Sequence, residues 1–208
     1  DLETTSKAAF VQTNWSFAPT WTLGAGLRYT TEEKDYFRTT STFSSLAALN
    51  GTFAFTRKDD WNAVTPSISL RKEFSDRVMG YVSANRGFKS GGFNGRANSA
   101  TEVSTFDPEY VWTYEAGVKA ASEDRRLLGS ATVFRSDYKD FQARVSEITN
   151  PNAPIPTFAF PVLNAAELTI DGVELEGAML IGDGTRLNAQ VGWLDARYDT
   201  FNDPRVTL

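Results

Sequence analysis

The chain has 208 residues, a net charge of −5, 41% apolar and 13% aromatic residues, and neither cysteine nor histidine. Without those two residue types there is no disulfide framework, no thiolate, no Ser-His-Asp or Cys-His machinery and none of the usual zinc sites. The acidic balance speaks against a nucleic-acid partner, and no run reaches the roughly 18 apolar residues of a membrane-spanning helix, a test that passes over barrel strands, which show lipid only at every second residue.

In chain order, the residues alternate with a period of two rather than 3.6, which predicts strands with one apolar and one polar face. A first strand at 7–17 runs into the turn Ala18-Pro19-Thr20, with Trp15, Phe17 and Trp21 around it. The second, at 21–37, sets Leu23, Ala25, Leu27 and Tyr29 against Thr22, Gly24, Gly26, Arg28 and Thr30. A long polar segment at 38–60 follows. The third strand, at 61–74, opposes Val64, Pro66, Ile68 and Leu70 to Thr65, Ser67, Ser69 and Arg71. Pro66 cannot donate to a ladder, so it marks a bulge or a later strand start.

After the turn Ser75-Asp76-Arg77, a fourth strand at 78–89 has no clearly polar face, and a bulge in it would change the side that Arg86 faces. It ends in Arg86-Gly-Phe-Lys-Ser-Gly-Gly-Phe-Asn-Gly-Arg96. Lys89-Ser90 lacks the glycine a P-loop needs directly before it, and no helix pattern follows. The glycines instead suit an external loop at 90–109. Arg86, Lys89 and Arg96 then attract anionic ligands or lipopolysaccharide phosphates, or else form a solvated rim.

A fifth strand at 110–120, the turn 121–126 and a sixth strand at 127–146 come next. The long segment 147–161 leads to a seventh strand at 162–181, the turn Gly182 to Thr185, and an eighth at 186–200. There Leu187, Ala189, Val191 and Trp193 oppose Asn188, Gln190, Gly192 and Leu194. Short and long connections alternate strictly. Outer-membrane barrels produce that pattern, whereas Greek-key sandwiches scramble it. Trp61, Trp112, Tyr114, Trp193 and Tyr198 then stand where an upper aromatic girdle is expected. The carboxylates Asp137, Asp140 and Glu147, or Glu123 and Asp124, read as surface charges rather than a glycosidase pair. Asp183-Gly184 reads as a tight turn, not a calcium loop.

The phrases "TLGAGLRYTTEEKDY" (22–36), "YVSANRGFKSGGFNGR" (81–96), "YEAGVKA" (114–120), "VFRSDYKDFQ" (133–142) and "IDGVELEG" (170–177) occur in this order. The ordered set resembles the barrel of TonB-dependent outer-membrane receptors, importers of ferric siderophores and similar large nutrients. The resemblance implies an all-β, antiparallel up-and-down meander in the outer membrane of a Gram-negative bacterium. It also implies a 22-stranded barrel around a plug, so residues 1–208 are expected to be an internal part of the wall, with no plug and no barrel C-terminus. With short turns periplasmic, both termini lie outside, which fits a closed eight-stranded barrel poorly.

The expected lumen-facing residues are Arg28, Arg71, Glu115, Lys119, Glu174, Glu176, Asn188 and Gln190. Outer-membrane lipid and lipopolysaccharide, the plug, the remaining strands and, through the plug, the TonB energy-coupling complex are the implied partners. No catalytic residue, metal site or cofactor is expected. The transported ligand stays open. The alternative is a soluble, aromatic-rich β-domain that binds carbohydrate without transport.

Overall fold

The computed structural model describes residues 1–43, 51–95, 103–148, 158–182 and 184–201. The long strands are β1 (Leu2–Ala18), β2 (Trp21–Thr42), β3 (Gly51–Ser75), β4 (Val78–Lys89), β7 (Glu109–Ala121), β8 (Leu127–Arg144), β11 (Val162–Ile181) and β12 (Thr185–Phe201). They form one antiparallel sheet in the order β1-β2-β3-β4-β7-β8-β11-β12, a meander in a single layer. Two small hairpins were not foreseen: β5 (Gly92–Phe93) with β6 (Thr105–Phe106), and β9 (Glu147–Ile148) with β10 (Phe158–Ala159).

The segment 38–60 differs most from expectation. The β2–β3 ladder runs unbroken from Trp21↔Lys72 to Thr42↔Gly51. A Ser/Thr-rich composition resembles a loop, but β-branched and aromatic residues favour extended backbone when a partner is opposite. Ser41 and Thr52 share a hydroxyl contact of 3.0 Å across this ladder. At about 3.3 Å per residue, a strand of 22 residues is about 73 Å long. That is well beyond a hydrocarbon layer of about 30 Å.

Pro66 marks neither a bulge nor a strand start. It pairs in register with Leu27 on β2, and the ladder to β4 stops one residue away, at Ser67↔Asn85. A missing N–H is tolerated where a ladder ends. β4 pairs with β7 without a register shift from Val78↔Ala120 to Lys89↔Glu109, so there is no bulge. Arg86 therefore shares the side of Val82 and Ala84.

The registers carry one apolar face across the sheet. Trp193, Val173, Val133, Ala116, Val82, Leu70 and Leu23 lie in one transverse row. On β12, β11 and β8 the next row up is ionised: Asp195, Asp171 and Arg135. Arg135 donates to Asp171 at 2.7 and 3.0 Å, and Arg197 reaches Asp171 at 3.0 Å. On β2, however, apolar residues continue to Tyr29, six residues above Leu23. The boundary thus drops by about 20 Å over six strand spacings of about 4.8 Å, a slope of about 35°. Strands in closed barrels tilt by that amount.

The turn between β7 and β8 is held by side chains. Ser122 Oγ donates to Asp124 Oδ1 at 2.6 Å, Arg126 N–H donates to the same oxygen at 3.0 Å, and Leu127 N–H donates to Ser122 Oγ at 2.9 Å. Arg125 takes the left-handed conformation, with φ 54°. The Ser122 hydroxyl and then the Arg126 N–H hold the Asp124 carboxyl below its usual range. Its folded pKa is depressed, so it stabilises the turn above the unfolded value of about 3.9 and this contribution is lost as pH falls through the folded value. Protection of the Arg126 and Leu127 amides, taken relative to the intrinsic exchange rate at each pH, is expected to fall on acidification below about pH 4. In Asp124→Asn that acid-dependent step should vanish.

Candidate functional site

The polar face is concave. Glu73 at the end of β3 and Arg186, Asn188 and Gln190 on β12 line one hollow of about 910 Å³, together with Lys119 and Glu176. All eight residues expected to line a lumen lie on this face by register: Arg28 on β2, Arg71 on β3, Glu115 and Lys119 on β7, Glu174 and Glu176 on β11, Asn188 and Gln190 on β12. Their partners are mostly local. Arg28 Nε donates to Thr30 Oγ1 at 3.0 Å, and Arg71 pairs with Glu73 at 3.5 Å. Tyr81 Oη donates to Glu115, Ser130 Oγ donates to Glu176 at 3.4 Å, and Arg186 Nε donates to Asn188 at 3.1 Å. Lys119 Nζ lies 5.8 Å from the Tyr81 ring centre. The wall is polar and mixed in charge, which suits contact with hydrated surfaces.

Arg86 and Lys89 do not converge. Arg86 is on the apolar face, 4.1 Å from the Tyr110 ring centre, within an aromatic group that includes Trp112, stacked on Tyr114 at 6.1 Å. Its Nη1 donates to Val64 O at 3.4 Å, in the gap left where β3 and β4 part. Lys89 is on the polar face, where it is exposed and pairs at 3.7 Å with the buried Glu109. Arg96 lies outside the described residues, as does Asp183 of the expected tight turn.

The larger surprise is where the chain goes after Lys89. Instead of standing outward, residues 90–95 fold back onto the polar face of β2 and β3. Lys34 Nζ donates to Gly91 O at 2.6 Å, and Arg38 Nη1 donates to Gly95 O. Phe93 stacks on Tyr36 at 5.7 Å and meets Trp61 edge-on at 5.7 Å. Tyr36 in turn meets Phe55 at 5.4 Å. A Cβ on Gly91 would collide with the Trp61 indole and with Phe106 O, so only glycine permits this approach.

The base of the same loop is tied to the other side of the sheet. Gln142 Nε2 donates to Ser90 O at 2.9 Å and Asp107 O at 3.0 Å, and Asn164 Nδ2 donates to Asp107 O at 2.8 Å. Gln142 N–H donates to Glu109 Oε2 at 2.9 Å. The described part of the loop is therefore a shelf, anchored on β8 and β11 through Ser90 and Asp107 and on β2 and β3 through residues 91–95.

Two aromatics expected in the girdle belong here instead. Trp61 is buried on the polar face beneath the shelf. Tyr198 pairs with Leu168 on the polar face and meets Phe141 at 6.3 Å. Sequence alternation already put Trp61 in phase with Ala63 and Thr65, the one signal that could have placed it. Glycine spacing at Gly91, Gly92 and Gly95 was read as permitting bends, which is correct but does not reveal the direction of the bend.

A family model described as TonB dependent receptor-like, beta-barrel, matches residues 1–207. Among solved structures, the ferric yersiniabactin uptake receptor FyuA from Yersinia pestis superposes with a TM-score of 0.78 at 18% identity, over 96% of this chain and 28% of its own length. The siderophore receptor PiuA from Acinetobacter baumannii gives 0.70 at 23% identity, over 97% and 26%. The copper transporter OprC gives 0.70 at 15% identity, over 95% and 31%. The chain thus spans about 28% of the length of the first receptor it matches. The family is one of transporters rather than enzymes, and a carbohydrate-binding module is set aside. With its single-layer meander, its two-faced strands and a match over residues 1–207, this chain belongs to the TonB-dependent receptor β-barrel family.

Proposed function

We propose that residues 1–208 form part of the wall of an outer-membrane importer of ferric siderophores or similarly large nutrients in a Gram-negative bacterium. The polar, concave face lines the lumen, with the eight residues from Arg28 to Gln190 among its lining. The apolar face meets lipid. The plug, the remaining strands and the contact with the TonB complex are supplied by residues beyond this chain. The shelf at 90–95 narrows the outer mouth and contributes aromatic surface to ligand capture. Lys89 stands at the rim of this mouth.

The observation that carries this reading is the change from the row of Val133, Val173 and Trp193 to the next row, Arg135, Asp171 and Asp195. Such a step is what a hydrocarbon–water boundary demands of a surface. Arg86 sits at that level on the apolar face, and its Nε has no hydrogen-bond partner among the described residues. In this reading the rest of the guanidinium, not the buried Nε, meets lipopolysaccharide phosphates.

The chain has no cysteine, so single-cysteine labelling along β12 has a clean background within it. In membranes of cells making the full-length protein, a water-soluble thiol reagent should label positions 188, 190 and 192 and spare 187, 189, 191 and 193. Uniform labelling, or uniform protection, would remove the wall assignment. Import is tested separately: uptake of a radiolabelled ferric siderophore should stop when the energy-coupling partner is deleted, and uptake that continues unchanged counts against it.

A further inference from the structure

We infer that the apolar face carries a seat for one anionic phospholipid of the leaflet nearest the short turns, its phosphodiester on Lys72 and one acyl chain in the groove leading away from it. This rests on the reading that the apolar face meets hydrocarbon. Lys72 is the cation at the lower edge of that face, level with Trp21 in the β2–β3 register. Its Nζ lies 4.6 Å from the Trp21 ring centre and 5.4 Å from that of Phe74. No ion pair to it occurs among the described residues. The neighbouring carboxylate, Glu73, is on the opposite face with Arg71 at 3.5 Å. A half-buried ammonium held between two rings at the edge of an apolar surface calls for an anion or water at its tip.

From Lys72 a groove of about 570 Å³ crosses the sheet to Val173. Its floor is low because Gly80, Ala116 and Ala131 stand among valines. Gly80 has a second role: a Cβ there would be 2.9 Å from Phe74 Cε2, so its absence lets the Phe74 ring lie over the strand. At about 30 Å³ per water-sized group, the groove has space for on the order of 19 methylene-sized units.

Its direction identifies the occupant. The row through Lys72 continues as Gly80, Val118, Ala131 and Leu175. Four strand spacings of about 4.8 Å make about 19 Å, and the slope of about 35° lifts the far end by about 11 Å. That stays within one leaflet, about half of a 30 Å hydrocarbon core. A lipid with its headgroup at the lower boundary and its tail climbing inward matches this path. Lys72, the one cation among the described residues that line the groove, selects an anionic head.

The test is native mass spectrometry of the detergent-solubilised full-length protein with added phosphatidylglycerol. The wild-type protein should retain one phosphatidylglycerol in preference to phosphatidylcholine. Lys72→Gln should weaken retention about fivefold, the factor one cation supplies near an anionic lipid surface. Lys72→Arg should restore it. Ala131→Phe, which fills the groove and leaves the charge untouched, should weaken it independently, and glycerophosphate without a chain should not compete. Circular dichroism checks that each variant is folded. Equal retention by wild type, Lys72→Gln and Ala131→Phe, or no preference for the anionic lipid, overturns the seat while leaving the wall reading intact. A protein that stays soluble without detergent overturns both.

Discussion

Ala131→Arg is expected to destabilise the folded wall by about 2–4 kcal/mol, the cost of placing an arginine near the middle of the hydrocarbon layer of a barrel. Ala131 is on β8 on the apolar face, with Val118 and Leu175 beside it in the row, Arg135 four residues above and Leu127 four below. Its neighbour Ser130, on the polar face within 3.4 Å of Glu176, supplies the contrast. Ser130→Arg adds a cation beside a carboxylate in an aqueous hollow, so its effect should stay within about 0.5 kcal/mol. Urea unfolding of the full-length protein in lipid vesicles reads both. Equal costs at the two positions would show that the faces do not meet different solvents. The position also matters: on β2 an arginine at Tyr29, at the upper end of the apolar run, should cost far less than one at Ala25 in its middle, although both are on the same strand and face.

Trp61→Ala is expected to release the shelf without unfolding the sheet. The indole is buried against Phe93, Lys34 and Gly91, and the Lys34 ammonium lies 5.4 Å from its ring centre. Deleting a buried tryptophan side chain costs about 3–5 kcal/mol where the site cannot collapse. That loss falls on the short segment 91–95, which Trp61 shares with Lys34, Tyr36 and Arg38. Amide exchange at residues 91–95 should therefore accelerate by roughly a hundredfold or more, while β7 and β8 keep their protection. Gly91→Ala attacks the same contact from the loop side and should produce the same exchange pattern. If protection at 91–95 is unchanged in both variants, the shelf is not held by Trp61. The reading of the outer mouth depends on this result, since a released shelf widens the opening and removes Phe93 from the face that meets a ligand.

Much of the wall was legible in the sequence. Alternation at 22–30, 64–71 and 186–194 marked β2, β3 and β12 and assigned their faces, because side chains on extended backbone must point to opposite sides. Arg28, Arg71, Asn188 and Gln190 share a face for that reason alone. The short polar turns at Ser75-Asp76-Arg77 and after Ala121 were equally plain. The upper halves of β2 and β3 were not. Residues 39–41 carry no apolar side chain, and at 52–56 Phe53 and Phe55, stacked at 6.1 Å, alternate in the phase of the polar face rather than that of Ile68 and Leu70. Periodicity is a signal of two solvents, and it fades where water is on both sides.

Arg86, Lys89 and Arg96 show the other limit. Grouped in sequence, the first two end on opposite faces, since an unbroken strand sends positions 86 and 89 to opposite sides. Whether β4 is unbroken depends on its ladder with β7, a long-range pairing that no local pattern contains. Trp61 and Tyr198 stand in the polar phase of β3 and β12, so their face was legible in the sequence; what they pack against was not. An aromatic at the right height suits a girdle or a shelf equally, and only the residues packed against it decide.

Amino-acid order alone therefore determined the all-β class, the count of long strands, the short turns and the two-faced character of the wall, all of which follow from the geometry of extended backbone against two media. The tertiary structure decided the slope of the boundary between apolar and ionised residues, the fold of residues 90–95 onto the polar face, the side taken by Arg86 and the groove beside Lys72. Each of these depends on which residues of different strands stand opposite one another, and register is a property of the assembled sheet rather than of any one strand.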